Sequence, residues 1–238
     1  MPLGSVHFLH GFLGQSTDWD GLIPPGIPSL CYDFFTPEAE QDAIPLGLES
    51  LAGWINQKAR SAPGPRILLG YSLGGRVALH ALLQAPEVWE GAVLVSAHPG
   101  LRSPDDRDLR LKSDQAWARK FETESWDPLI HEWNAQAVFK GGRHPLLRPE
   151  ADFSRKNLAR SLEQSSLGRQ EDLRERLKGL QLPVLWVCGE LDVKFRGLAE
   201  GMAALNPRFC VETVLGAGHR VPWDQPQVFK GLLDRALF

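Results

Sequence analysis

The stretch "ILLGYSLGGRVALH", residues 67–80, decides how this chain is read. A short apolar run enters a serine bracketed by glycines, Gly70-Tyr71-Ser72-Leu73-Gly74, and a helix-like segment follows at once. Gly-x-Ser-x-Gly between a strand and a helix is the nucleophile-elbow pattern: a strained turn lifts the serine out, and small neighbours let strand and helix approach. Ser72 read alone could still be a turn residue. A serine hydroxyl becomes a reagent only beside a histidine that a carboxylate holds in place. In such a fold both partners should follow later in the chain, acid before histidine, each in a loop after a strand.

Both are present in that order. "PVLWVCGELDVKF" supplies Asp192 just past an apolar run, with Glu190 as its nearest competitor. "CVETVLGAGHRVPW" supplies His219 in a glycine-rich turn after the final strand-like run. Taken singly, Asp192 reads as a turn or helix-cap residue and His219 as a surface histidine. Taken together, they are expected to form a triad with Ser72. The triad also needs donors for developing negative charge. The Leu73 N–H at the start of the following helix is one candidate. The Phe12 N–H, from the loop "HFLHGFLGQSTDW" after the first strand, is the other.

Working outward, strand-like runs recur at "SVHFLH", "SLCYD", "RILLG", "GAVLVS", "PVLWVCG" and "FCVETVL". Helix-like segments at 46–60, 74–84, 197–205 and 226–236 lie between or after them. Alternation of this kind predicts an α/β fold with a mostly parallel sheet covered by helices on both faces. It breaks between residues 101 and 179, where the composition turns charged and helical, opening with a Ser-Pro-Asp-Asp helix start. That segment holds 16 Lys and Arg against 14 Asp and Glu, leaving 10 and 15 for the rest of the 26 and 29. Residues 1–100 and 180–238 are therefore expected to form the core. Residues 101–179 should be a helical lid over the strands' carboxyl ends, or a merely decorative subdomain.

The composition narrows the function. With 43% apolar and 23% charged residues the chain reads as a globular domain. A net charge of −3 gives no reason to expect nucleic acid or a membrane surface as partner. No apolar run is long enough to span a bilayer, and the first residues show no signal-peptide pattern. Cys31, Cys188 and Cys210 each sit in a strand-like segment without a CxxC pair, which suggests buried free thiols and a cytoplasmic location. His7 and His10 share one segment but make a poor metal pair, so no metal and no cofactor is expected.

The chain resembles the α/β-hydrolase superfamily over nearly its whole length. Within it, "LHGFLG", "GYSLGGRVALH", "SAHPGL" with "KSDQAWARKF", and "CGELDVKFRGLA" with "GAGH" resemble the 2-succinyl-6-hydroxy-2,4-cyclohexadiene-1-carboxylate synthases of menaquinone and phylloquinone biosynthesis. The resemblance implies a lyase that removes a ring proton and expels an enolpyruvyl group as pyruvate. Ser72, activated by His219 and Asp192, would then be the base, and Phe12 and Leu73 would steady an enolate-like oxygen. It also implies a small substrate with several carboxylates, met by Arg76, Arg110 and Arg155, with Tyr71 and Trp133 lining the pocket. Arginine suits carboxylates because its planar fork binds them bidentately. Without the resemblance, Arg110 and Arg155 read as solvated helix residues, Arg76 as a partner for a local acid, Trp133 as core and His98 as a turn residue.

Three departures stand out. The chain begins almost at its first glycine motif, so a smaller sheet is expected. "TPEAEQD" replaces a Pro-Gly-His-Gly loop after "LCYDFF", and Pro222 and Asp224 stand where a histidine and a glutamate are usual. A serine esterase, thioesterase or carbon–carbon-bond hydrolase would use the same triad without the arginines, and a non-catalytic binding protein would have little use for the triad.

Overall fold

The computed structural model describes residues 4–23, 25–142 and 146–237. The extreme ends of the expected core and residues 143–145 of the expected lid lie outside them. Six parallel strands form one sheet: β1 (Ser5–Leu9), β2 (Ser29–Tyr32), β3 (Arg66–Tyr71), β4 (Gly91–Val95), β5 (Val184–Gly189) and β6 (Phe209–Val214). Their order is β2-β1-β3-β4-β5-β6. All six expected strands are present, and every pairing is parallel.

Side chains along a strand alternate between faces, and here both faces are apolar. Phe8, Leu69 and Val93 stand in register across one face, where Trp19, Val221, Phe229 and Leu232 cover them. Leu9, Leu68, Leu94 and Trp186 point to the other, against Ile55, Ala78, Leu79 and Met202. Each such buried side chain contributes roughly 1.5–3 kcal/mol of transfer free energy. This double coverage explains the unbroken apolar runs at β3, β4 and β5. Cys188 is buried and Cys31 half-buried, but Cys210 is exposed, which corrects the expectation of three buried thiols. The reason is its place on the edge strand β6, where one face lacks full cover.

The helices are α1 (Pro37–Gln41), α2 (Leu48–Arg60), α3 (Leu73–Gln84), α4 (Pro104–Thr123), α5 (Trp126–Asn134), α6 (Arg155–Gln164), α7 (Arg174–Lys178), α8 (Val193–Leu205), α9 (Val221–Asp224) and α10 (Pro226–Leu237). Four of them, α4 to α7, intervene between β4 and β5. Ser103 caps α4 by accepting the Asp106 N–H, with Pro104 and two acids in the first turn, as the Ser-Pro-Asp-Asp start predicts. The inserted segment is tied to the core beyond β2. Ser154 N–H donates to Phe35 O at 2.6 Å, Asn157 Nδ2 to Phe34 O at 3.2 Å, and the Ser165 hydroxyl to Leu46 O.

The topology places the site. From β1 the chain goes to one side as β2 and to the other as β3, so the connections diverge at the carboxyl ends of β1 and β3. Ligands of open parallel sheets bind in that crevice. The Phe12 loop follows β1 and Ser72 follows β3.

Candidate active site

Ser72 sits between β3 and α3 with φ 52° and ψ −107°, a conformation few non-glycine residues adopt. Holding it there costs on the order of 1–3 kcal/mol. Its surroundings enforce the turn. Ser72 N–H is bonded to Val95 O at 2.8 Å. A Cβ on Gly70 would strike the Gly74 carbonyl, and one on Gly74 would strike Leu9 O, so both glycines are required by close backbone approach. Because α3 begins at Leu73, its N–H has no intrahelical acceptor, and Leu73 lines the cavity. The Phe12 N–H likewise has no acceptor among the described residues, and Phe12 also lines the cavity. These are the two expected oxyanion donors.

The expected triad is assembled. His219 Nε2 lies 3.1 Å from Ser72 Oγ, and His219 Nδ1 lies 2.7 Å from Asp192 Oδ2. A carboxylate can only accept, so Nδ1 carries the proton and Nε2 presents a lone pair to the serine hydroxyl. His219 and Asp192 are both buried. The histidine loop is held from several sides. Ser96, at φ 48°, donates its hydroxyl to His219 O at 2.9 Å, and Glu190 accepts the Gly216 N–H at 3.0 Å. Glu190, the competing acid, thus fastens the loop that carries the histidine.

A cavity of about 590 Å³ opens over this group. Tyr71 is buried in its wall, edge-on to Trp223 at 4.9 Å and tilted against His219 at 5.6 Å. Burial pushes its hydroxyl pKa up, the Arg220 guanidinium opposing this and the Asp224 and Asp192 carboxylates adding to it, so it stays neutral. Trp133 forms the roof, 4.7 Å from Phe12 and 5.0 Å from Trp117. Arg76, one turn into α3, is buried and reaches the inserted segment, where it donates to Gln170 Oε1 at 2.6 Å and Ser165 O at 2.7 Å. Burial and then the field of Arg110 pull its pKa below the arginine norm, against the opposing field of Asp114. Arg110 lines the cavity with its Nε held by Asp114 at 2.8 Å, and Ser166 fixes that carboxylate at 2.7 Å.

Arg155 departs from expectation. It lies outside the cavity, where it donates to Phe121 O at 2.9 Å and Glu124 O at 2.8 Å, pairs with Glu150, and covers Trp126 at 5.3 Å. The carbonyls at the end of α4 attract it as they would any cation.

Sequence reasoning missed other groups. Lys194, two residues beyond Asp192, lines the cavity. Arg148 forms a bidentate pair with Asp18 at 2.9 and 2.7 Å, both side chains largely hidden from solvent, linking the inserted segment to the Phe12 loop. No periodicity marks Arg148, which lies in irregular chain. Arg220 had a plain signal in its position beside His219. It is half-buried, with Nη2 2.5 Å from Asn134 Oδ1 and its guanidinium 4.0 Å over the Phe139 ring. His98 also faces the cavity, accepting the Gly100 N–H at 3.0 Å, and burial holds its pKa down to about 3. The two segment histidines are engaged elsewhere: His7 with Tyr32 at 2.7 Å, His10 with Gly11 O at 2.8 Å and Phe34 N–H at 3.2 Å. No cluster of metal-ligating side chains occurs among the described residues.

Residues 8–231 match the family model described as "Alpha/beta hydrolase family". A Salmonella agona protein named 2-succinyl-6-hydroxy-2,4-cyclohexadiene-1-carboxylate synthase is 34% identical, covering 93% of this chain and 89% of its own. A Haemophilus influenzae protein to which its name assigns the same activity provisionally is 30% identical, covering 98% of this chain and 97% of its own. The solved structure of MenH from S. aureus superposes with a TM-score of 0.90 at 21% identity, over 100% of this chain and 94% of that one, which shows the shared fold. The chain belongs to the α/β-hydrolase family and, within it, to the 2-succinyl-6-hydroxy-2,4-cyclohexadiene-1-carboxylate synthases.

Proposed function

We propose that this chain is a lyase that eliminates pyruvate from 2-succinyl-5-enolpyruvyl-6-hydroxy-3-cyclohexene-1-carboxylate, with Ser72, His219 and Asp192 removing the ring proton. The observation that carries the substrate class is the charge around the triad. In a chain of net charge −3, the cavity is lined by Arg76, Arg110, Arg148, Lys194 and Arg220 against Asp18, Asp114 and Asp192. Each of those carboxylates is engaged, with Arg148, Arg110 and His219 respectively. The remaining positive charge suits a substrate bearing carboxylates on its ring, its succinyl arm and its enolpyruvyl arm. An ester hydrolase acting on neutral substrates would gain nothing from it.

The geometry supports a stepwise elimination. The lone pair on His219 Nε2 takes the hydroxyl proton of Ser72, and the serine oxygen takes the proton from the ring carbon beside the succinyl carbonyl. The Leu73 and Phe12 N–H groups hold the oxygen on which charge accumulates. That electron pair shifts through the ring double bond and breaks the bond to the enolpyruvyl oxygen. The departing enolpyruvate takes up a proton and becomes pyruvate. Helices α4 to α6, with Trp133 as roof, act as a lid that excludes water from the enolate.

The test measures pyruvate release from that substrate against its spontaneous elimination, beside hydrolysis of small aryl esters. Acceleration by the wild-type protein, lost in Ser72→Ala, is expected. Release at the spontaneous rate together with ester cleavage would replace the lyase reading with an esterase one.

A further inference from the structure

Two groups of cations line the cavity, one led by Arg76 after Ser72 in the chain and the other by Arg220 after His219. Arg76 stands one turn beyond the serine, and its charge, like that of Lys194, is felt together with that of Arg110. Arg220 stands one residue beyond the histidine and shares its field with Arg148 instead. The groups also rest on different parts of the inserted segment. Arg76 is bonded to Ser165 and Gln170, while Arg220 is bonded to Asn134 at the end of α5 and lies over Phe139.

Arg148 and Arg220 differ in what neutralises them. Arg148 has a bidentate carboxylate in Asp18. Arg220 makes no carboxylate ion pair among the described residues, and the Asp224 carboxylate supports its charge only through space. It is steadied by an amide oxygen, a ring face and the neighbouring Tyr71 hydroxyl. Those groups fix the guanidinium in one place without cancelling its charge. A half-buried cation held this way lacks a directly bonded carboxylate, and a ligand carboxylate supplies one. Phe139 packs at the same time on Arg220 and, at 5.9 Å, on His219, so an anion drawn to Arg220 is brought toward the Ser72–His219 pair.

We propose that Arg220 is a specificity-determining residue that binds one carboxylate of the substrate, while the Arg76 and Arg110 group binds another, so that the ligand is clamped across the Ser72–His219 pair. The proposal rests on the carboxylate-rich substrate of the preceding section. Its logic is that of two separated anchors fixing both position and direction of a ring whose reacting hydrogen must face Ser72.

The test uses three unreactive aryl ketones and calorimetric binding. 2-Succinylbenzoate carries both a ring and a chain carboxylate; 4-oxo-4-phenylbutanoate lacks the ring one, and 2-butanoylbenzoate lacks the chain one. Arg220→Gln should weaken the diacid about ten- to hundredfold, the range for a lost charge-assisted bond. It should weaken one monoacid similarly and leave the other within about threefold. Arg110→Gln should show the reverse selectivity. Arg220→Lys keeps the charge without the fork and should weaken the same monoacid to a lesser degree; it decides the pattern if the glutamine variant does not fold. Equal loss for both monoacids, loss under threefold for the diacid, or no binding of any of them by wild type would overturn the proposal. Because no turnover is involved, absent pyruvate release beside the expected binding pattern would refute the lyase reading and leave the clamp standing.

Discussion

The sheet and the inserted helices solve different problems with different materials. Loops after β1, β3, β5 and β6 bring Phe12, Ser72, Asp192 and His219 together through backbone constraints: glycines with no room for a Cβ, a serine at φ 52°, a carbonyl tied to Ser96. The insertion contributes Arg110, Asn134 and Arg148, long or flexible side chains whose positions depend on what they meet. In the proposed lyase the first set moves the proton. The cations that select the substrate come from both regions, Arg76 and Arg220 from the core and Arg110 from the insertion.

The strongest way to break that division is at the seam. Asp18→Asn leaves Arg148 in a largely hidden site without its carboxylate, which should cost about 3–5 kcal/mol of unfolding free energy. Replacing both, as Asp18→Leu with Arg148→Met, should recover most of it. Urea melts of wild type and the two variants measure the loss and its recovery. If the single substitution costs under 1 kcal/mol, insertion and Phe12 loop are not coupled through this pair.

A second prediction separates the two regions by pH. His7 and His80 are held down to about 4 and His98 to about 3, in each case chiefly by burial and then by neighbouring cations. All three belong to the strands, α3 or the turn after β4. Between pH 6.5 and 4 the unfolded chain binds more protons than the folded one. Stability should therefore be full above 6.5 and fall as the pH drops toward 4. His80 Nε2 also has no hydrogen-bond partner among the described residues. His80→Leu should match or exceed wild type at pH 7 and be more stable by on the order of 2 kcal/mol at pH 4.5. Melts at the two pH values that show equal losses for both proteins would contradict this.

Smaller effects sharpen the contrast inside the insertion. Arg110→Gln should raise KM about tenfold or more with kcat less affected, since it removes binding shared by ground and transition states. Arg155→Gln should leave both constants within about twofold and lower stability by at most about 1 kcal/mol, as expected for a partly exposed helix-end contact. Steady-state pyruvate release reads both; a larger KM effect at Arg155 than at Arg110 would put the cations in the wrong order.

These contrasts track what was legible in the chain. Strand runs, the elbow and the order Ser72, Asp192, His219 are local patterns with one geometric solution, and all six strands and the hydrogen-bonded triad are present. Arg155 failed because a basic residue after a serine cap says nothing of which way its side chain turns, and the carbonyls closing α4 captured it. Cys210 failed because apolar neighbours do not reveal that a strand is at the edge. Arg148 and Asp18 are 130 residues apart and carry no pattern at all. Arg220 was overlooked beside a conspicuous histidine.

The central claim is that Ser72, driven by His219, removes the ring proton. The most direct measurement is single-turnover pyruvate release from substrate carrying deuterium on the ring carbon beside the succinyl carbonyl, for wild type, Ser72→Ala and His219→Ala. The account predicts a primary isotope effect in the wild type. Both variants should fall by on the order of a thousandfold or more, to similar residual rates, because the two groups act as one unit. A Ser72→Ala protein that keeps most of the rate while His219→Ala loses it would show that the histidine takes the proton itself and that the serine is a bystander.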